Sequence, residues 1–152
     1  MSRWWIDEPT FVVSSNPIDE DLRELFESGF RTIISLLDES EQSPNYDVNQ
    51  AQKTGFNRVS IPIKDFTAPT LEQFEEFFEA VNHALNKGKV VMHCEGGTGR
   101  TGTMAAAYWI NKGLSAKEAI DRVRRNRRYA VEEPEQEGSL HKLEETLKNK
   151  NN

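Results

Sequence analysis

Val90-Val91-Met92-His93-Cys94-Glu95-Gly96-Gly97-Thr98-Gly99-Arg100-Thr101-Gly102-Thr103-Met104-Ala105-Ala106-Ala107 is the stretch from which the rest of the chain can be read. Val90 to Met92 is an apolar run without alternation, the pattern of a strand buried on both faces. Thr101 to Lys112 carries Met104, Ala105, Ala106, Ala107, Tyr108, Trp109 and Ile110. A helix that apolar lies in the centre of a fold, and Gly113 ends it. Three glycines separate strand from helix, which is the junction where an open α/β sheet places its ligands.

Outward from this unit the same alternation recurs. Thr10-Phe11-Val12-Val13 is a β-prone run closed by Ser14-Ser15-Asn16-Pro17, and Thr32 to Leu37 is a second buried strand. Between them Asp19 heads an amphipathic segment with Leu22, Leu25 and Phe26 on one face, stopped by Gly29. Asp38 to Asn45 is a polar loop, followed by a weak helix through Gln50 and a strand from Arg58 to Ile63. Thr70 and Gln73 have capping-box spacing ahead of the stripe Leu71, Phe74, Phe77, Phe78, Val81, Leu85. Ser115 and Glu118 repeat that spacing and open a helix through about Asn126, and a last helix begins near Pro134 with Leu140, Leu143 and Leu147. Trp4 and Trp5 are expected to cap the edge of the core. Short apolar strands alternating with helices predict a single α/β domain over residues 1–148. Its central sheet is mostly parallel, of four or five strands, with helices on both faces, and residues 149–152 form a polar tail.

The loop has chemistry as well as shape. Glycines let successive backbone N–H groups turn inward as a nest for an anion, and the following helix adds the positive end of its dipole. Arg100 offers a planar fork that can hold two oxygens of a phosphate. A lone cysteine after a buried strand is ordinarily a small core residue. Cys94 differs because the same positive field favours its thiolate. The residues describe a nucleophilic sulfur at the bottom of an oxyanion cradle.

Composition narrows the alternatives. The chain has 152 residues, a formal net charge of −6 and 36% hydrophobic residues, which suits one domain with a core of its own. The acidic balance counts against a nucleic-acid binder. A single cysteine excludes an intrachain disulfide and any Cys-rich zinc site. No apolar run approaches the roughly 20 residues of a membrane span. The N-terminal MSRWWIDEP lacks the apolar stretch of a secretory signal. The expectation is a cytoplasmic monomer that needs neither metal nor cofactor.

HCEGGTGRTG, residues 93–102, matches the H-C-x5-R-[ST] signature and resembles the cysteine-based protein tyrosine phosphatases, in particular their compact dual-specificity branch. The similarity runs from about Phe11 to Leu140. It implies that Cys94 attacks phosphorus to form a phosphocysteine. Arg100 and the amides of Glu95, Gly96, Gly97, Thr98 and Gly99 would hold the phosphate oxygens, and Thr101 would assist the hydrolytic step. His93 matches the family histidine that shapes the loop. Gly96 stands where relatives often carry Ala, so it should tolerate a side chain, whereas Gly97 matches a family glycine. Thr98 stands where Leu or Val is common.

The leaving group also needs a proton. Asp65, in Ile61-Pro62-Ile63-Lys64-Asp65-Phe66-Thr67-Ala68-Pro69, lies 29 residues before Cys94 and resembles the family's general-acid loop. The order acid then cysteine belongs to the dual-specificity type rather than to the low-molecular-weight phosphatases. The segment Arg128 to Gln136 resembles the family loop that positions the hydrolytic water, with Gln136 as the candidate and Glu132 and Glu133 nearby. Glu39 and Glu41 either rim the pocket, brace Arg100 or belong to a solvated loop. The run Arg122, Arg124, Arg125, Arg127, Arg128 reads as a solvated face paired with glutamates, or else as a docking face for phosphorylated substrates. The resemblance implies phosphorylated proteins or peptides as partners, with phosphate as product and competitive ligand, and no nucleic acid or membrane. Rival readings are a phosphoinositide or RNA-end phosphatase and a catalytically silent phospho-binding module. Glu95 and Thr98, where lipid-phosphate relatives often carry lysine, weigh against the first. The presence of Cys94, Arg100 and Asp65 weighs against the last.

Overall fold

A computed structural model describes residues 2–150. The segment that decides the fold is β5 (Lys89–His93) followed by α4 (Gly99–Asn111). Around it the chain runs β1 (Arg3–Asp7), β2 (Phe11–Ser14), α1 (Asp19–Glu27), β3 (Phe30–Ser35), α2 (Val48–Thr54), β4 (Asn57–Ser60) and α3 (Leu71–Leu85). After α4 come α5 (Ala116–Asn126) and α6 (Pro134–Lys150). The sheet has five strands in the order β1-β2-β5-β3-β4. β2, β5, β3 and β4 are mutually parallel and β1 joins β2 antiparallel at the edge. β5 lies in the middle, so the loop after it emerges from the C-terminal edge of the sheet beside the ends of β2 and β3.

Alternate side chains of the strands serve two cores. Val12, Ile33 and Val91 face Leu22, Leu25, Tyr46, Ala51 and Phe56 around α1 and α2. Phe11, Val13, Ile34, Val90 and Met92 face α3 to α6. In this larger core the ring of Phe11 meets Phe77 at 6.3 Å and the edge of Tyr108 at 5.3 Å. Each such buried ring contributes about 1.5–3 kcal/mol relative to exposure. The capping boxes at Thr70–Gln73 and Ser115–Glu118 both form, with reciprocal bonds of 3.0–3.1 Å. Among the described residues no helix is long and apolar enough to cross a membrane.

The edges differ from the sequence reading. β1 is a strand, because Trp4 is buried against the larger core while Trp5 stacks on Phe30 on the other face. Adjacent tryptophans hide this alternation, since both sides of an edge strand are apolar here. Leu36, Leu37 and Ile61 to Ile63 lie past the ends of β3 and β4, where the chain bends toward the site. The weak helix extends to Thr54, capped by Asp47, whose carboxylate accepts from Gln50 N at 3.1 Å. α6 continues through Lys150, whose ammonium meets Glu75 at 2.9 Å, so Asn149 and Lys150 are helical. Asn151 and Asn152 of the expected tail lie outside the described residues.

Gly102 is where α4 passes closest to the segment before α6. A Cβ there would stand 2.8 Å from Ala130 Cβ and 3.0 Å from Val131 N. Gly102→Ala should therefore destabilise the fold by about 1–3 kcal/mol through overpacking, against alanine's own helix preference of about 1 kcal/mol. Urea unfolding measures the sum, and a stabilised variant would contradict the packing described.

Candidate active site

Cys94 follows β5 directly and is buried. Gly97 N–H donates to its Sγ at 3.3 Å, and the Thr101 hydroxyl lies 3.6 Å from it. Gly97 reaches this position with φ +79°, a left-handed conformation natural to glycine. A Cβ at Gly97 would also press within 3.2 Å of Ser15 N, whereas one at Gly96 would meet nothing within 4 Å. The two adjacent glycines thus differ as expected. Thr98 is the N-cap of α4 but makes no capping bond, since its hydroxyl donates to Glu132. The first-turn N–H groups of α4 are left without a side-chain acceptor, an arrangement that favours an anion.

The loop is framed from three sides. Trp4 Nε1 donates to Gly97 O at 2.9 Å. Asn16 takes Glu95 by both backbone and side chain, at 3.0 and 2.9 Å. From below, His93 Nδ1 lies 3.2 Å from Cys94 O and Nε2 lies 2.8 Å from the Tyr46 hydroxyl. A carbonyl oxygen only accepts, so the His93 proton sits on Nδ1, and Nε2 of the neutral ring accepts from the Tyr46 hydroxyl, which itself accepts from Arg58 Nε at 2.9 Å. No local sequence signal marks Trp4, Asn16 or Tyr46 as site residues, Trp4 reading only as a cap on the core edge; Trp4 and Tyr46 come to the loop through β1 and the segment after β3.

Arg100 is 2% exposed. Nη1 donates to Ile63 O at 3.0 Å and Nη2 to Gln42 Oε1 at 2.8 Å, while Asp65 Oδ2 lies 3.4 Å from Nη2. Nε is buried without a protein partner, a donor available to an anion oxygen. Cys94 thus meets Thr101, and Arg100 meets Asp65, which arrives on a separate loop. The brace on Arg100 is Gln42 rather than Glu39 or Glu41. Glu41 instead accepts from Asp65 N at 3.0 Å, and Glu39 is exposed.

Gln136 is buried and not a surface glutamine. Its Oε1 accepts from Glu133 N at 3.0 Å and its Nε2 donates to Thr67 O at 3.2 Å, linking α6 to the loop of Asp65. The arginine run is in part the solvated, glutamate-paired face expected, since Arg122, Arg125 and Arg128 are exposed and Arg124 Nη2 lies 3.9 Å from Glu137, but it is not uniform. Arg122 lies 3.7 Å over the Trp109 ring, and Arg124 donates from Nε to Ala130 O and from Nη2 to Val131 O, each at 3.0 Å. This clamp holds Val131 at φ +60°, a conformation costing a β-branched residue about 1–3 kcal/mol. The strained turn delivers Glu132 to Thr98.

Burial, and secondarily the positive charges of Arg58 and Arg100, hold the His93 pKa down to about 4 from 6.5. The unfolded chain therefore binds a proton that the folded chain refuses. Stability from this group is complete above pH 6.5 and declines as pH falls from 6.5 toward 4. About 2 kcal/mol should be lost between pH 7.5 and 5, mostly above the range where carboxylates titrate. Urea unfolding of His93→Asn at both pH values should show that slope reduced. An unchanged slope would place the acid sensitivity elsewhere.

With this geometry in place, known proteins offer a comparison. A family model described as a polymorphic toxin system DSP-PTPase phosphatase (Tc-R-P) matches residues 10–114. The tyrosine-protein phosphatase CDC14 of Candida albicans is 31% identical over 124 residues, covering 80% of this chain and 22% of that protein. Its counterpart cdc-14 of Caenorhabditis elegans is 33% identical over 111 residues, covering 72% and 15%. The chain spans less than a quarter of the length of these relatives. Tk-PTP in its active form superposes with a TM-score of 0.86 at 36% identity, covering 95% of this chain and 97% of that one. The chain belongs to the cysteine-based protein tyrosine phosphatases, in their compact dual-specificity branch.

Proposed function

We propose that this protein hydrolyses phosphotyrosine, and also phosphoserine and phosphothreonine, in proteins or peptides through a phosphocysteine. The observation that carries the reading is the 3.4 Å approach of Asp65 to Arg100, which brings an acid from one loop to the anion-binding arginine of another. The Cys94 thiolate attacks phosphorus, forming the P–S bond as the P–O bond breaks. Arg100 and the loop N–H groups hold the phosphate oxygens, and a proton from Asp65 passes to the departing oxygen. Water then attacks phosphorus, giving its proton back to the Asp65 carboxylate. The sulfur leaves as a thiolate that the Thr101 hydroxyl and Gly97 N–H can stabilise. Gln136, in the first turn of α6 with its amide on Thr67 O of the acid loop, would orient that water once it releases Thr67.

Protein substrates are favoured over polyphosphorylated lipids by the charge around the cradle. Glu95 and Glu132 flank the loop, and Glu41 supports the acid. Phe66, next to Asp65 and 63% exposed, offers an apolar wall to a substrate side chain.

Cys94→Ser should abolish turnover of an aryl phosphate in the presence of chelator. Asp65→Asn should slow alkyl and poor aryl leaving groups by about 10²–10⁴-fold, the usual worth of a positioned acid, while activated aryl phosphates lose far less. Equal losses across the leaving-group series would identify a different acid, with Glu132 and Glu133 next to test. Faster turnover of inositol phosphates than of phosphopeptides would overturn the substrate class.

A further inference from the structure

Gln42 has both ends of its side chain committed. Arg100 Nη2 can only donate and the Asp65 carboxylate can only accept, so the amide orientation is fixed by its neighbours. Oε1 accepts from Arg100 Nη2 at 2.8 Å, and Nε2 donates to Asp65 Oδ2 at 2.9 Å. The adjacent Glu41 accepts from Asp65 N at 3.0 Å, so consecutive residues hold the backbone and the carboxylate of the same aspartate. Their own loop is stiff. Asp38 Oδ1 accepts from Ser40 N at 3.0 Å, and Glu41 N and Gln42 N both donate to Asp38 O, at 2.9 and 3.0 Å. Ser43 O accepts from Asn16 Nδ2 at 2.9 Å, and the same Asn16 side chain grips Glu95 in the cysteine loop.

We propose that Gln42 is a positioning residue that couples the phosphate-binding arginine to the general acid. The inference rests on the phosphatase reading of Cys94, Arg100 and Asp65. The neutral amide satisfies the guanidinium at one end and the carboxylate at the other. It thereby turns the fork of Arg100 and aims the Asp65 carboxyl without adding charge to either. A glutamate would serve the arginine equally well but would set two carboxylates against each other. An alanine would serve neither, leaving Asp65 and Arg100, 3.4 Å apart, to pair directly and draw an arginine donor away from phosphate.

The two hydrogen bonds separate by substitution. Gln42→Glu retains the acceptor for Arg100 and removes the donor to Asp65. Its inhibition by inorganic phosphate should stay within about threefold of the parent, while kcat/KM for alkyl phosphates falls about tenfold more than for activated aryl phosphates. Gln42→Ala should add a weakening of phosphate inhibition by about tenfold, the worth of one hydrogen bond to a charged group. In an Asp65→Asn background neither substitution should steepen the leaving-group dependence further, because the group they aim is no longer an acid. Equal losses across leaving groups, or leaving-group effects that simply add to those of Asp65→Asn, would reduce Gln42 to a structural residue. A Cys94→Ser chain that still turns over the aryl phosphate would instead defeat the assignment of Cys94 as the nucleophile, on which this inference rests.

Discussion

The Gly97 N–H lies 3.3 Å from the Cys94 sulfur in the turn between β5 and α4, and the whole site depends on holding that polar turn in place. Gly97 supplies the conformation, with its N–H on the Cys94 sulfur and its φ in the left-handed region. The rest of the molecule supplies the frame. β1 brings Trp4 to Gly97 O, the turn after β2 brings Asn16 to Glu95, and the segment before α6 brings Glu132 to Thr98. His93 fixes the loop from beneath through a neutral imidazole held by the Tyr46 hydroxyl, which Arg58 Nε holds in turn. An anion in the cradle would complete the balance of charge that these contacts begin.

The same frame places the second loop. Ile63 O and Gln42 hold Arg100 toward the residues that follow β4, and Gln136 reaches back from α6 to Thr67 at the far end of that segment. Phe66 and Val131, the two non-glycine residues with positive φ among the described residues, lie one on each of the segments that approach the cysteine loop. Backbone strain of this kind persists only where the surroundings over-determine it. At Val131 the surroundings are Arg124 and the bare backbone of Gly102.

Much of this was legible in the sequence, for local reasons. Buried strands, capping boxes and the glycines of the cysteine loop are signals carried by neighbouring residues, and they fixed the helices, four of the strands and the Cys94–Arg100–Thr101 group. What escaped was nonlocal. β1 is an edge strand apolar on both faces, so it shows no alternation. Glu39 and Glu41 carry the charge that suits a brace for an arginine, yet the brace is Gln42, beside the carboxylate of Asp65. The arginine run looked uniform in charge but divides by position. Arg122 packs on an indole, and Arg124 is spent on two carbonyls.

In the proposed mechanism the sulfur of Cys94 carries the phosphoryl group between the two half-reactions. Rapid mixing of an activated aryl phosphate with the Thr101→Ala chain, followed by acid quenching and peptide mapping, tests it directly. The hydroxyl 3.6 Å from the sulfur is then missing, so the departing thiolate of the second step loses a donor. A phosphoryl group should accumulate on the peptide containing Cys94, toward one per chain, as the first aryl product appears. Aryl product released with no phosphorylated protein, or with the label on another residue, would contradict it.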